Sequence, residues 1–265
     1  MMMPFPLEDS PLAVVASQAA LKAGKLLREG FGTQFEITSK ANPLDLVTEF
    51  DKAAEALIID FIKSQFNGHA FLAEESGFSE YQGADVLWII DPLDGTMNFA
   101  HHIPFFVVSI AAVVDQSIEV GVIYQPINQE LFVAQKGRGS YLNGSKIHVS
   151  KAVNLAQAVG ATGFPYSFDE RKHYTTQFLN FLNVGNPIRI IGSAALNLAY
   201  VATGRFDLYW GNNLMPWDVA AGKLLVEEAG GQITHFDGSS YDAFKEANIV
   251  ATNGTLHNAI LNLLK

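Results

Sequence analysis

Residues 88–98 read Trp-Ile-Ile-Asp-Pro-Leu-Asp-Gly-Thr-Met-Asn and constrain the chain more than any other stretch. The apolar run Val86–Ile90 predicts a buried strand that stops at two aspartates. Pro92, between them, has no amide proton to give a sheet and predicts a turn directly after the strand. Gly95 lets that turn be tight, or lets the backbone come close to another group. A strand that carries Asp91 and Asp94 into one turn holds two carboxylates together at a sheet edge. Such a pair repels, and one member takes up a proton unless a cation lies between them. Mg²⁺ is commonly held by one or two carboxylates, a substrate phosphate and water. Taken alone, the same residues suit an Asp-rich turn bonded to its own backbone equally well.

A chain of 265 residues can bury a large core, as one unit or as two packed halves. A net charge of −10 argues against a broad nucleic-acid surface, which needs clustered Lys and Arg. It leaves an anionic substrate open, because a bound metal inverts the local field. There is no cysteine, hence no disulfide, thiolate ligand or thiol nucleophile, which fits a reducing cytoplasm as the expected location. Met1–Pro6 lacks a basic region followed by an apolar one, so no signal peptide is expected. The longest apolar run, Phe105–Val114, is too short to span a bilayer, and no membrane contact is expected.

Along the chain, Ser10 as N-cap and Pro11 at the first helical position start a helix that Gly30 ends. Gln34–Lys40 alternates like a strand, and Ala41-Asn42-Pro43 reads as a turn. Asp45–Asp51 opens a second helix running to about Phe66, with Thr48 and Asp51 spaced as in a capping box. Ala70–Ala73 is a short strand ending in Glu74-Glu75-Ser76-Gly77, which repeats the design of the central stretch. Strands follow at 105–114, 118–124 and 131–135, with hairpin turns at Asp115-Gln116, Pro126–Gln129 and Asn143-Gly144. The second half alternates helix and strand: helix 171–182, strand 188–191, helix 194–203, strand 206–210, helix 219–229 with Asp218 as its N-cap, strands 232–236 and 249–252, and a last helix capped by Thr255. A boundary near residue 150 separates halves 1–150 and 151–265, expected to pack tightly as effectively one domain.

Five segments, in this order, resemble the inositol monophosphatase family of Mg²⁺-dependent, lithium-sensitive phosphatases. They are Asp45-Leu-Val-Thr-Glu-Phe-Asp51, Glu74-Glu75-Ser76, Trp88-Ile-Ile-Asp-Pro-Leu-Asp-Gly-Thr-Met-Asn-Phe99, Gly192-Ser-Ala-Ala-Leu-Asn197 and Pro216-Trp-Asp-Val-Ala-Ala-Gly222. The resemblance implies an α+β fold, the layered α-β-α-β-α sandwich of the inositol monophosphatase and fructose-1,6-bisphosphatase type. It implies a first Mg²⁺ on Glu74, Asp91 and the carbonyl of Leu93, and a second on Asp91, Asp94 and Asp218. A third, weaker ion would sit on Glu74 and waters, with Lys40 nearby. Asp51, Glu74 and Thr96 are implied to be catalytic: Thr96 bonds Asp51 and, with Glu74, positions the attacking water. Gly95, Thr96, Lys40, Ser193, Ala194 and Gly211 are implied on the substrate side, and a homodimer is implied as the assembly.

The chemistry suits these residue types. A phosphate monoester dianion repels hydroxide, and its uncatalysed hydrolysis is among the slowest known. Two metals about 3.5–4 Å apart clamp the entering and leaving oxygens of an in-line displacement. Carboxylates suffice as ligands, so His101, His102 and the other histidines are not needed. Two positions depart from the family pattern. Met97 stands where Thr is usual. Gly211 stands where inositol-hydrolysing members usually carry Glu, so that either a substrate contact is missing, Asn212 or Asn213 replaces it, or the backbone there needs a positive φ. The expected activity is a Mg²⁺-dependent phosphomonoesterase on a small phosphorylated metabolite, a polyol or sugar phosphate, inositol 1-phosphate first. Fructose 1,6-bisphosphate, NADP, histidinol phosphate or a 3′-phosphonucleotide are alternative substrates, and a protein-binding regulatory role on the same fold is an alternative class.

Overall fold

The computed structural model describes residues 9–39, 46–79, 83–164, 168–242, 244–245 and 247–264. Lys40, Asp45 and the turn expected at 41–43 lie outside them. In chain order the elements are α1 (Pro11–Gly30), β1 (Ile37–Ser39), β2 (Leu46–Thr48), α2 (Glu49–Gln65), β3 (Ala70–Ala73), β4 (Gly77–Ser79), β5 (Val86–Asp94), α3 (Thr96–Ala100), β6 (Val107–Val114), β7 (Ser117–Gln125), β8 (Glu130–Gln135), β9 (Gly139–Leu142) and β10 (Ser145–Ile147). They continue as β11 (Gly160–Thr162), α4 (Phe168–Asn183), β12 (Ile188–Arg189), α5 (Ala194–Ala202), β13 (Leu208–Leu214), α6 (Pro216–Glu228), β14 (Gln232–Thr234), β15 (Ala247–Thr252) and α7 (His257–Leu264).

Among the described residues, eight strands form one sheet in the order β10-β9-β8-β7-β6-β5-β3-β4, and five form a second in the order β12-β11-β13-β15-β14. Helices α1 and α2 lie on the outer face of the large sheet, α5 and α6 between the sheets, and α4 and α7 on the outer side of the small one. This is the five-layer α-β-α-β-α order expected. Burial follows the sequence pattern. The apolar stripe of α1, Ala13 to Leu27, packs on β6 and β7. On the other face of the large sheet, Ala111, Gly121 and Ala134 sit side by side across β6, β7 and β8. This row of small residues lets α6 come down onto the sheet backbone. Among the described residues no helix is long and apolar enough to cross a membrane.

The structure departs from the sequence expectations at several places, each with a physical reason. Leu46–Thr48 does not open a helix; it is a strand paired antiparallel to β1, and α2 starts at Glu49. The capping box is present, with Thr48 as N-cap and Asp51 as its partner. Ladder pairing does not stop at Ile90: β5 continues through Pro92, which sits in a bulge where no ladder proton is required. Asp91 lies opposite Ser109 and Asp94 opposite Val107, so β5 carries one more residue than β6 across that interval. Within the large sheet β3 runs parallel to β5. In the second half, β12 is shorter than expected and β13 longer, extending to Leu214 across a second bulge. Asp218 is not the N-cap of α6. Met215 holds that position, and Asp218, three residues on, accepts its amide at 2.8 Å. The side chain serving the start of the last helix is Asn253, which accepts from Leu256 N at 3.1 Å, rather than Thr255.

Candidate active site

The residues singled out in the sequence come from four elements that end at one place. β3 ends at Ala73 and delivers Glu74 in the turn before β4. The bulged end of β5 delivers Asp91, Leu93 and Asp94. The starts of α5 and α6 deliver Ser193, Ala194 and Asp218. Glu74, Asp91, Leu93, Asp94, Gly95, Thr96, Ser193, Ala194, Gly211 and Asp218 all line one cleft of about 780 Å³. Side-chain to main-chain bonds pin its walls: Asn98 Nδ2 donates to the carbonyls of Phe105 and Ile191, each at 2.7 Å, and Ser109 Oγ donates to the Trp217 carbonyl at 3.2 Å.

Asp91 is buried, and its Oδ1 accepts the Leu93 amide at 2.9 Å. Burial pushes its carboxyl well above the ordinary range, and the charges of Glu74, Asp94 and Asp218 push it further; the Asp91 and Glu74 carboxyls also hydrogen-bond to one another. Asp94 is raised mainly by burial, against hydrogen bonds that pull it down. These come from Ser193 Oγ at 2.6 Å and the Ala195 amide at 2.7 Å, both to Oδ2, and from the Ala194 amide to Oδ1 at 3.3 Å. Ser193 and Ala194 thus border the cleft as expected, but their donors are engaged by Asp94.

Asp51 does not line the cleft. Burial raises it to about 6, against hydrogen bonds from Thr48 and Thr96. Thr48 N and Oγ1 reach its Oδ2 at 2.7 and 2.6 Å, and Thr96 Oγ1 reaches its Oδ1 at 2.9 Å. Thr96 Oγ1 also lies 3.0 Å from the Leu93 carbonyl. A hydroxyl has one proton, and ionised Asp51 is the stronger acceptor, so the Leu93 carbonyl keeps its lone pairs for the cleft. The Leu93 side chain is packed into the core, which leaves its backbone as the part that faces the site.

These donors fit a divalent cation. Among the described residues lining the cleft there is no Lys, Arg or His, so nothing positive offsets the acids. Among the described residues no three acidic or histidine groups already close on one point as a coordination shell would. Asp94 and Asp218 instead bond main-chain amides, contacts a cation would compete for.

Two features escaped the sequence reading. Glu55 is buried, and its Oε2 accepts the Glu75 amide at 2.8 Å, which fixes the turn that carries Glu74. The available signal was an acid one helical turn after Asp51 on the core-facing side of α2. Glu55→Ala should cost roughly 1–3 kcal/mol of stability. Glu55→Gln, which keeps an acceptor, should retain most of it; the melting temperature is the measurement. The second feature is Tyr209, a buried aromatic at the cleft floor that alternation along β13 alone makes look like ordinary core.

The family model described as the inositol monophosphatase family matches residues 8–265. The chain belongs to that family. Among relatives, it is 43% identical over 256 residues to Nus factor SuhB of Escherichia coli K12, covering 95% of this chain and 94% of that one. It is 38% identical over 247 residues to the fructose-1,6-bisphosphatase/inositol-1-monophosphatase of Thermotoga maritima, covering 92% and 91%. The crystal structure of the extragenic suppressor protein suhB from Bartonella henselae superposes with a TM-score of 0.93 at 40% identity, covering 97% of this chain and 99% of that one. Within this inositol monophosphatase fold, Gly211 does not have a positive φ; Asn213, at φ 52°, takes the left-handed conformation of the bulge.

Proposed function

We propose that the chain is a Mg²⁺-dependent phosphomonoesterase acting on a small polyol or sugar phosphate, with inositol 1-phosphate the first substrate to try. The observation that carries this reading is Asp91, buried among Glu74, Asp94 and Asp218 in a cleft whose described lining holds no basic side chain. The activities named for the Thermotoga maritima relative support it. Glu74, Asp91 and the Leu93 carbonyl would hold one Mg²⁺, and Asp91, Asp94 and Asp218 a second. Bound there, Mg²⁺ supplies Lewis-acid stabilisation of the phosphoryl oxygens and lowers the pKa of a water molecule.

The chain's own groups do the rest. Thr96 commits its proton to Asp51, so its oxygen faces the cleft as an acceptor that orients the entering water. Glu74 is the carboxylate in the cleft that receives that water's proton. The backbone N–H groups of Gly95 and Thr96 face the phosphate oxygens. Asp94 is tied to the start of α5 and Asp218 to the start of α6, which fixes both carboxylates at the cleft.

Phosphate release from inositol 1-phosphate, glycerol 2-phosphate, fructose 1,6-bisphosphate and a 3′-phosphonucleotide tests the reading. Release should require Mg²⁺, stop in EDTA, and fall in millimolar Li⁺ and in excess Mg²⁺, with a lithium-sensitive relative assayed alongside. Release that continues undiminished in EDTA would sink the proposal; indifference to Li⁺ while the relative responds would sink its lithium part. A second role, as a Nus factor, is favoured by the name and 43% identity of the Escherichia coli relative. It adds a macromolecular partner that the charge of the chain does not suggest. An Asp91→Asn chain separates the two roles: it should lose hydrolysis, and whether it keeps the second role shows if that role uses the cleft.

A further inference from the structure

Successive residues of β13 face opposite sides of the small sheet. Trp210 points outward and stacks on Phe181, with ring centroids 4.0 Å apart. Tyr209 belongs to the core between the sheets and borders the cleft with the little of it that is exposed. Gly211 lies two residues on and shares the Tyr209 side. A Cβ added at 211 would stand 2.6 Å from the Tyr209 hydroxyl oxygen, 3.0 Å from its Cζ and 2.7 Å from Leu214 Cδ1. The Tyr209 phenol therefore occupies the space that a side chain at 211 would need. Since the φ of Gly211 is not in the left-handed region, crowding by the Tyr209 phenol and by Leu214 is what favours a glycine here.

The surroundings define what the hydroxyl offers. Asn197, itself buried, lies beside the phenol and as a hydrogen-bonding neighbour pulls its pKa down, against the larger effect of burial. Burial holds the phenol well above its usual range, and the charges of Asp94 and Asp218 raise it further, so the group stays protonated and neutral. The Tyr209 hydroxyl at the cleft is thus a neutral group that can donate a hydrogen bond.

We propose that the Tyr209 hydroxyl is a specificity-determining group for the alcohol half of the substrate, and that Gly211 is there to leave it room. The inference rests on the phosphomonoesterase reading. The substrate class it selects is an alcohol phosphate with an accepting oxygen, hydroxyl or ether, within one or two carbons of the ester. An ester whose leaving group has no such oxygen gains nothing from this group.

Tyr209→Phe removes one oxygen and keeps the packing. It should lower kcat/KM for inositol 1-phosphate and glycerol 2-phosphate about three- to tenfold, and leave phenyl phosphate within about twofold. Gly211→Ala, which must push the phenol aside, should lower the same substrate ratio in the wild-type background. In the Tyr209→Phe background, where the nearest oxygen is gone, Gly211→Ala should lower it no further. An equal fall on all three esters would mean that the hydroxyl only steadies Asp94 or Asp218, and would overturn the proposal. No fall on any ester, or fully additive effects of the two substitutions, would overturn it too. Should Tyr209→Phe not fold, the Gly211→Ala ratio alone decides: no change refutes the proposal. If the wild type hydrolyses none of the esters, it is the phosphomonoesterase reading that fails, and this inference falls with it.

Discussion

Asp91→Asn should lower kcat/KM on phosphate esters by on the order of 10³ or more, in a protein that still folds. The substitution keeps the shape of the side chain. Its amide oxygen can accept the Leu93 N–H that Asp91 Oδ1 takes at 2.9 Å, and its NH₂ can donate to Glu74. What it removes is the charge between the two proposed cation positions. The melting temperature makes a second readout, because its order should reverse with Mg²⁺. Asp91 is raised above the ordinary aspartate value in the fold, so the unfolded chain releases that proton more readily. Stability therefore falls as pH rises from about 4 towards the folded value. At pH 7 in EDTA the Asn chain, with nothing to ionise at 91, should melt at or above the wild type. With Mg²⁺ the wild type should rise by mass action and overtake it. Full activity in folded Asp91→Asn protein, or an unchanged order of melting temperatures, would remove Asp91 from the proposed metal site.

Gly121→Val should cost roughly 3 kcal/mol and about 6–12 °C in Tm. A Cβ there would stand 2.6 Å from the carbonyl oxygen of Ala221 and 3.1 Å from its Cα. These are backbone atoms of α6 and cannot rotate away, so the helix itself has to lift from the sheet. Asp218 lies in the first turn of that helix. A displacement of about 1 Å at a reacting group costs on the order of 10²-fold in rate, so activity should fall more than the loss of folded protein accounts for. Gly121→Ala should lie between wild type and Val in both measurements. A Val chain with wild-type Tm and activity would show that α6 does not depend on that close approach.

The elements that meet at the cleft were legible in the sequence because each carries an acid at its end or its start, whereas the layered sandwich and the ligand set followed from the family resemblance. Val86–Ile90 running into Asp91, Ala70–Ala73 into Glu74 and the Pro216-Trp217-Asp218 helix start identified the elements that meet at the cleft. What stayed hidden was decided by pairing between distant segments. Leu46–Thr48 carries cap-like residues, and only its pairing with Ile37–Ser39 makes it a strand. Pro92 looks like a stop until β6 is present to receive the bulge. Gly211 invited an argument about backbone conformation, but the position is crowded by the Tyr209 phenol two residues earlier and by Leu214 three residues later. Lengths, too, were fixed by neighbours: β13 continues to Leu214 because β15 pairs with it through Ala247.

The extra residue in β5 has a consequence for how this segment can vary. In a regular strand, positions separated by three point to opposite faces, so Asp91 and Asp94 would be parted by the sheet. Ser109 and Val107, their partners on β6, are two apart and share a face, and the bulge brings both acids to it. Deleting Leu93 would leave the two aspartates in plain register with Ser109 and Val107, still on one face but with no bulge between them. What the extra residue adds is therefore backbone: it pushes the Leu93 carbonyl out of the ladder and towards the cleft. The side chain at 93 can change with effects on packing alone, whereas a chain one residue shorter here would keep both acids and lose that carbonyl.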